Sequence, residues 1–165
     1  MPDRAVRSAR TAPSGYLQLS SLPLRISMAI SPKKSAMPNI TVMLVDDSVA
    51  VRDRLSECLR EVPGLEIVGM AGDENKAVLL YDRCQPDAAV LDIRLRHGSG
   101  IVVLEHIKRR ERHCLVIVLT NCVHAEFRRR CEQAGADYFF EKFREFDRVA
   151  GVFRKMARQR LSRKE

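Results

Sequence analysis

A chain of 165 residues has room for one ordinary domain with a hydrophobic core, and hardly for two. Hydrophobic residues make up 45% of it and charged residues 30%, which is typical of a soluble globular protein, and no apolar run is long enough to predict a membrane span. The net charge of +8 comes from the two ends, because residues 1–39 and 152–165 carry +5 each and the middle carries −2, so we do not expect DNA binding.

Residues 1–39 are rich in Ser, Pro, Arg and Ala and show no sustained helical or strand period. This composition predicts a disordered extension. Two alternatives stay open: the acid-poor composition also suits an organelle transit peptide, and translation from Met37 would make most of the segment non-native.

From Ile40 onward, short apolar runs alternate with longer amphipathic stretches, a pattern typical of βαβ units. Several runs are apolar at nearly every position, as expected of strands covered on both faces. Residues 40–165 are therefore predicted to form one α/β domain, a doubly wound five-stranded parallel sheet, with no segment left for an output domain. The predicted strands are Ile40–Val45, Leu65–Ala71, Asp87–Leu91, Leu115–Thr120 and Asp137–Phe140.

The amphipathic stretches predict five helices, one after each strand. Pro63 and Gly64 end the first, and Pro86 closes the second. Gly100 opens the third helix and Gly135 stops the fourth. The fifth is the longest, with apolar residues at intervals of three and four from Phe146 to Leu161.

The cysteines form an odd set without a CxxC pair. Neither they nor the histidines show the spacing of metal ligands. We interpret them as reduced core thiols of a cytoplasmic protein. They are Cys58, Cys84, Cys114, Cys122 and Cys131.

Reactive side chains stand where four of the predicted strands end. Asp46 and Asp47 follow the first strand and Asp92 follows the third, while Thr120 ends the fourth and Lys142 comes two residues after the fifth. The ligand site of a doubly wound sheet lies beyond these strand ends. Neighbouring carboxylates repel one another unless a cation lies between them, and hard oxygen ligands predict Mg²⁺. A carboxylate beside Mg²⁺ is suited to accept a phosphoryl group while a lysine and a hydroxyl hold its oxygens.

Each residue also has an ordinary structural explanation. Asp47 with Ser48 could form only a helix N-cap, Thr120 could simply finish a β-rich strand, and Lys142 could be a solvated surface lysine. Their joint position at four strand ends, in a consistent chain order, favours the chemical interpretation.

The motifs at these strand ends resemble those of the receiver domain of two-component response regulators. The resemblance runs from about Ile40 to Arg160 and implies a flavodoxin-like (βα)5 fold with strand order 2-1-3-4-5. The motifs are LVDDS (44–48), AVLDIRLRHGSG (89–100), VLTN (118–121) and GADYFFEK (135–142).

The resemblance implies a role for each site residue. Asp92 would be the phospho-acceptor, Asp47 a direct Mg²⁺ ligand, and Asp46 a ligand through water. The Arg94 backbone carbonyl would complete the protein ligands. Thr120 and Lys142 would hold the phosphoryl oxygens, with Thr120 moving inward on phosphorylation.

Phe139 stands where the family has an aromatic residue that changes rotamer, so the fourth helix, last strand and fifth helix would form the output face. We expect Phe139 and Phe143 to be partly exposed and available to a partner. Two residues depart from the family pattern: Phe143 replaces the usual proline after the lysine, and Asn121 replaces the usual small residue after the threonine.

The function implied is that of a single-domain response regulator in a phosphorelay. It would take its phosphoryl group from a histidine kinase or histidine phosphotransfer protein, act on a downstream protein target in the cytoplasm, and catalyse only its own phosphorylation and dephosphorylation. A homodimer stays open. The alternatives are a pseudo-receiver that binds proteins without phosphorylation, and a metal-dependent phosphatase, although such enzymes place the nucleophile in a DxD motif on the first strand.

Overall fold

The computed structural model describes residues 40–111 and 113–162, so the predicted extension over residues 1–39 lies outside the described part. The described chain contains five strands and six helices; each strand is followed by a helix, and the last strand by two. The strands are β1 (Ile40–Val45), β2 (Leu65–Ala71), β3 (Ala88–Leu91), β4 (Leu115–Thr120) and β5 (Tyr138–Glu141). The helices are α1 (Val49–Arg60), α2 (Glu74–Cys84), α3 (Gly100–Arg110), α4 (Ala125–Gln133), α5 (Lys142–Glu145) and α6 (Arg148–Ser162).

The five strands form one sheet in the order β2-β1-β3-β4-β5, and every neighbouring pair is parallel. This confirms the predicted doubly wound fold and its strand order. Because all strands run the same way, their carboxyl ends share one edge of the sheet. Residues far apart in sequence are therefore brought together at that edge.

Strand β1 shows how the sheet divides the core. Ile40, Val42 and Leu44 face a cluster that includes residues of α1 and α6. Met43 and Val45 face the opposite cluster, built with α2, α3 and α4. Both faces are covered, so the strand carries almost no polar residue, which is what its apolar sequence predicted.

One helix was not predicted from sequence. Lys142–Glu145 forms a single turn, α5, before the long helix that the apolar period had indicated. Glu145 accepts a hydrogen bond at 2.9 Å from the Glu141 N–H, which ties this turn to the end of β5. A four-residue turn is too short to show a helical period, which explains why the sequence pattern missed it.

At the amino edge of the sheet, Asp87 ties the last helix to the first strand. Its carboxylate accepts hydrogen bonds at 2.9 Å from both the N–H and the hydroxyl of Thr41. Arg160 of α6 donates to the same carboxylate at 2.5 Å. These contacts stabilise the fold at the edge opposite the predicted site.

The cysteines are free thiols, as predicted. Cys114 and Cys131 are buried, and burial raises the pKa of Cys114 to about 12 and that of Cys131 to about 11. These two fit the prediction of core thiols, while Cys58, Cys84 and Cys122 are only half-buried. Among residues 40–111 and 113–162, no helix is long and apolar enough to cross a membrane.

Candidate phosphoryl site

The three predicted aspartates meet at the carboxyl edge of the sheet. Strands β1 and β3 are paired in register up to their last residues. Asp46 and Asp92 follow these strands and so lie side by side, and the Asp92 N–H donates to the Val45 carbonyl at 2.8 Å. Asp46 and Asp92 are buried, and Asp47 is half-buried. One carboxylate oxygen from each lies within 4.8 Å of the others, which concentrates negative charge at this edge.

Lys142 supplies positive charge to the cluster. Its Nζ lies 2.6 Å from Asp46 Oδ2 and 2.6 Å from Asp92 Oδ2. The lysine follows β5 directly, and β4 alone separates β5 from β3, so the side chain reaches both carboxylates. A single ammonium therefore offsets part of the repulsion between the two aspartates.

Thr120 provides a hydroxyl donor on the other side of Asp92. Its Oγ1 donates to Asp92 Oδ1 at 2.7 Å, and the same oxygen accepts from the Cys122 N–H at 3.1 Å. The Arg94 N–H also lies 3.3 Å from Asp92 Oδ1. Each carboxylate oxygen of Asp92 is thus held by a neighbour, which fixes the orientation of the side chain.

The shared environment changes the ionisation of Asp46 and Lys142. Burial raises the pKa of Asp46, and hydrogen bonds from Lys142 and the Ser48 N–H only partly counter it. Burial alone would lower the pKa of Lys142, but its hydrogen bonds to Asp46 and Asp92 outweigh that effect and raise it. The lysine is therefore a cation at neutral pH, although only 11% of its side chain is exposed.

The donor set fits a magnesium ion. Mg²⁺ prefers oxygen ligands at about 2.0–2.1 Å in an octahedron, so opposite ligands are about 4.2 Å apart. The three carboxylate oxygens lie within 4.8 Å of one another, so small side-chain adjustments would bring them around one ion. Arg94, whose backbone carbonyl is the fourth predicted ligand, lines the same cavity as Asp47 and Asp92.

An open cavity of about 410 Å³ gives access to Asp92. The predicted site residues Asp47, Arg94, Thr120 and Lys142 line it, and Asn121 lies at its wall. A larger cavity of about 660 Å³ is lined by residues of α3 and of the segment that ends α4, and none of the three clustered aspartates lines it. We assign the site to the smaller cavity because the reactive groups converge there.

Two residues that sequence reasoning did not assign to the site support it. Arg52 of α1 donates a short hydrogen bond from Nη1 to the Asp46 carbonyl. Gly100 lies so close to Asp92 that a Cβ there would be 1.8 Å from the Asp92 carbonyl oxygen. The sequence showed a helix-opening glycine, but only the packing reveals why a side chain is excluded at this position.

The expectation that Phe139 and Phe143 are both partly exposed was wrong for Phe139. Its side chain is only 8% exposed and belongs to the core cluster beside α3 and α4, with the Arg128 guanidinium 4.3 Å from its ring centre. Both faces of β5 are covered, so a residue within the strand is buried. Phe143 lies in the following turn and is 83% exposed, as expected.

The arrangement of Thr120 and Phe139 bears on the proposed switch. The threonine hydroxyl already points at Asp92, and the aromatic side chain is already packed inside. From the sequence, Thr120 was expected to move inward on phosphorylation. The structure shows Thr120 in this inward position, bonded to Asp92.

The chain matches the response regulator receiver domain family over residues 42–153. A curated relative, a protein-glutamate methylesterase/protein-glutamine glutaminase from Treponema pallidum, is 33% identical over 106 residues. That match covers 63% of this chain and 26% of the relative. The chain thus spans about a quarter of the length of this curated relative.

Solved structures show the same similarity. The response regulator domain of Thermotoga maritima CheB is 27% identical, with a TM-score of 0.63, over 75% of this chain and 97% of the other. The Borrelia burgdorferi CheX-CheY-BeF3-Mg complex gives 27% identity and a TM-score of 0.62, over 71% of this chain and 90% of the other.

Proposed function

Because this chain belongs to the response regulator receiver domain family, we propose that it accepts a phosphoryl group on Asp92 and signals through a change of shape. The observation that carries this proposal is the position of the Asp92 carboxylate. It lies between the Lys142 ammonium and the Thr120 hydroxyl, within a cluster of three aspartates that fits Mg²⁺.

The chemistry follows from these contacts. An Asp92 carboxylate oxygen attacks phosphorus, the bond from phosphorus to the donor breaks, and the donor leaves with its electron pair. Lys142 and Thr120 now hold the Asp92 oxygens, and they would pass to the oxygens of the bound phosphoryl group. Mg²⁺, held by Asp46, Asp47, Asp92 and the Arg94 carbonyl, would supply charge neutralisation at these oxygens. In dephosphorylation, water attacks the phosphorus, the bond from phosphorus to the Asp92 oxygen breaks, and inorganic phosphate leaves, so that the carboxylate is free again.

Exposed apolar side chains at the same edge of the sheet support a protein as the phosphodonor. Val49 opens α1 two residues after Asp47, Met70 lies near the end of β2, and Val123 lies between β4 and α4. Phe143 adjoins Lys142 and is the most exposed of the large apolar residues described. Such residues suit a docking partner rather than a small phosphodonor alone. We propose a histidine kinase or a histidine phosphotransfer protein.

The proposed output face consists of α4, β5 and α6, the last being the fifth helix predicted from sequence. Thr120 lies at the end of β4 and Phe139 within β5, so a movement at Asp92 would be transmitted to this face through buried neighbours. A downstream protein target would bind there. The curated relative above is much longer than this chain, so stand-alone action without further enzyme activity stays a prediction. A cytoplasmic location is also a prediction.

The test is phosphorylation by acetyl phosphate, followed by intact mass. We expect one phosphoryl group on the native chain in the presence of Mg²⁺, none after chelation, and none on Asp92→Asn. Asp82→Asn, near the carboxyl end of α2, where Asp82 pairs with His106 away from the aspartate cluster, is the matched control and should be phosphorylated normally. If neither acetyl phosphate nor a phosphohistidine protein modifies the native chain, the proposal fails and the pseudo-receiver alternative replaces it.

A further inference from the structure

The loop over residues 92–99 connects β3 to α3 and carries both the proposed phospho-acceptor and Arg94. At its start, the Arg94 N–H lies 3.3 Å from Asp92 Oδ1. Near the end of the loop, Ser99 pairs with Arg94 in an antiparallel bridge. The position of Ser99 therefore influences where the Arg94 backbone stands relative to Asp92.

Glu74, the first residue of α2, contacts this loop in two ways. Its Oε2 accepts a hydrogen bond from the Ser99 N–H at 2.8 Å. Its own backbone N–H donates to the His97 carbonyl at 3.0 Å. One residue thus binds two points of the loop, one through its side chain and one through its backbone.

The residue between these two points is a glycine, and its geometry is adapted to the contact. Gly98 has φ +91°, in the left-handed region, and a Cβ there would lie 2.4 Å from both Glu74 Cβ and Glu74 Oε2. Any other side chain would push the loop away from α2. The glycine and the glutamate are therefore complementary parts of one contact.

Helix capping does not explain the orientation of Glu74. An acidic residue in the first turn of a helix is commonly favourable because of the helix dipole. The N-cap of α2 is already Asp73, whose carboxylate accepts from the Lys76 N–H at 2.8 Å. The dipole alone would leave the Glu74 side chain free to face solvent, yet it turns toward the Ser99 N–H.

We propose that Glu74 is a positioning residue for the phosphoryl site. Its carboxylate holds the loop over residues 92–99 against α2 and thereby sets the Arg94 backbone relative to Asp92. The inference rests on the proposed function, since it assigns Glu74 a part in preparing that same site. It adds to the site a residue that follows β2, the one strand whose end had contributed none.

The test compares Glu74→Ala with Glu74→Gln, whose amide oxygen still accepts a hydrogen bond. Two controls accompany them: Glu57→Ala, an exposed acid on α1, and Asp87→Ala, which weakens the fold at the opposite edge of the sheet. The readouts are amide hydrogen exchange of residues 93–99 in the metal-free protein, the Mg²⁺ dissociation constant by calorimetry, and the thermal midpoint.

We expect Glu74→Ala to accelerate exchange in the loop and to weaken Mg²⁺ binding by about tenfold, the lower end for residues that support metal ligands. Glu74→Gln should lie closer to the native chain. Glu57→Ala should match it, and Asp87→Ala should lower the thermal midpoint without changing loop exchange or Mg²⁺ affinity.

The proposal is overturned if Glu74→Ala has native loop exchange and native Mg²⁺ affinity. It is also overturned if Asp87→Ala and Glu74→Ala lower the thermal midpoint equally and weaken Mg²⁺ binding equally. A native chain that binds no Mg²⁺ would overturn it as well. If loop exchange and Mg²⁺ affinity depend on Glu74 but the chain takes no phosphoryl group, the positioning role is supported and the proposed function is refuted.

Discussion

Lys142 Nζ lies 2.6 Å from Asp46 Oδ2, so the lysine after the last strand is bonded to the aspartate after the first. The strands β1 and β5 are three positions apart in the sheet. The same ammonium lies 2.6 Å from Oδ2 of Asp92, a proposed direct Mg²⁺ ligand. The lysine and the metal therefore compete for the Asp92 carboxylate.

Replacing this lysine should separate metal binding from phosphoryl transfer. We expect Lys142→Gln to bind Mg²⁺ more tightly, because a competing cation is removed. Phosphorylation by acetyl phosphate should slow by about 100-fold, as for the loss of one donor to developing charge. Calorimetry and intact mass measure the two effects. Lys155→Gln, exposed on α6, is the control, and a Lys142→Gln variant equal to it in both assays would contradict the assignment.

Thr120→Val should leave phosphorylation possible but abolish the response. The valine keeps the shape of the side chain and removes the hydroxyl that bonds Asp92 and accepts from Cys122. The free energy of unfolding should fall by about 1–3 kcal/mol, because buried partners lose a hydrogen bond. Hydrogen exchange of α4, β5 and α6 with and without phosphodonor is the measurement. A phosphorylated variant that changes exchange as the native chain does would refute the switch.

The two phenylalanines should behave oppositely. Phe139→Ala removes a buried ring and should lower the free energy of unfolding by about 3–5 kcal/mol, as measured by urea unfolding. Phe143→Ala removes an exposed ring and should cost little stability. It should react normally with acetyl phosphate but accept phosphate more slowly from a phosphohistidine protein. If the variant accepts phosphate from a phosphohistidine protein as fast as the native chain does, Phe143 has no part in docking.

Two glycine-to-alanine substitutions should change the free energy of unfolding in opposite directions. Gly100→Ala would place a Cβ 1.8 Å from the Asp92 carbonyl oxygen, so we expect a loss of more than about 2 kcal/mol in stability together with impaired phosphorylation. Gly151 lies on the exposed side of α6, and a Cβ there would meet nothing within 4 Å. Gly151→Ala should stabilise the protein by up to about 1 kcal/mol, because alanine favours helix. Thermal and urea unfolding would reveal equal effects if this packing argument were wrong.

Asp87 should make stability depend on pH. Burial alone would raise its pKa, but hydrogen bonds from Arg160 and Thr41 outweigh burial and hold the pKa below the ordinary 3.8. The stability that Asp87 contributes is therefore present above pH 3.8 and is lost as the pH falls through the lower pKa of the folded state.

The measurement is the thermal midpoint from about pH 6 to about pH 2.5 in the native chain and in Asp87→Asn. The variant should be less stable at the upper end of this range, by about 1 kcal/mol because the pair is partly exposed. The difference should shrink toward the acid end. A constant difference across the range would show that the charge of Asp87 does not stabilise the fold.

The sequence by itself determined the order of the elements and the residues that follow each strand. Strand period, helix period and the breakers Pro63, Pro86 and Gly135 are local properties, and they located all five strands to within one residue at either end. The parallel arrangement then implied that Asp46 and Asp92 share one edge, since neighbouring strand ends always do.

Only the tertiary structure decided which side chains meet. The burial of Phe139 depends on the helices that cover the last strand, and the two bonds of Lys142 depend on its reach across β4. Glu74 is an ordinary helix-opening acid in the sequence, and its contact with Ser99 exists because α2 packs beside a loop 25 residues away. Local patterns encode how each segment is built, whereas long-range contacts arise from how the segments pack together.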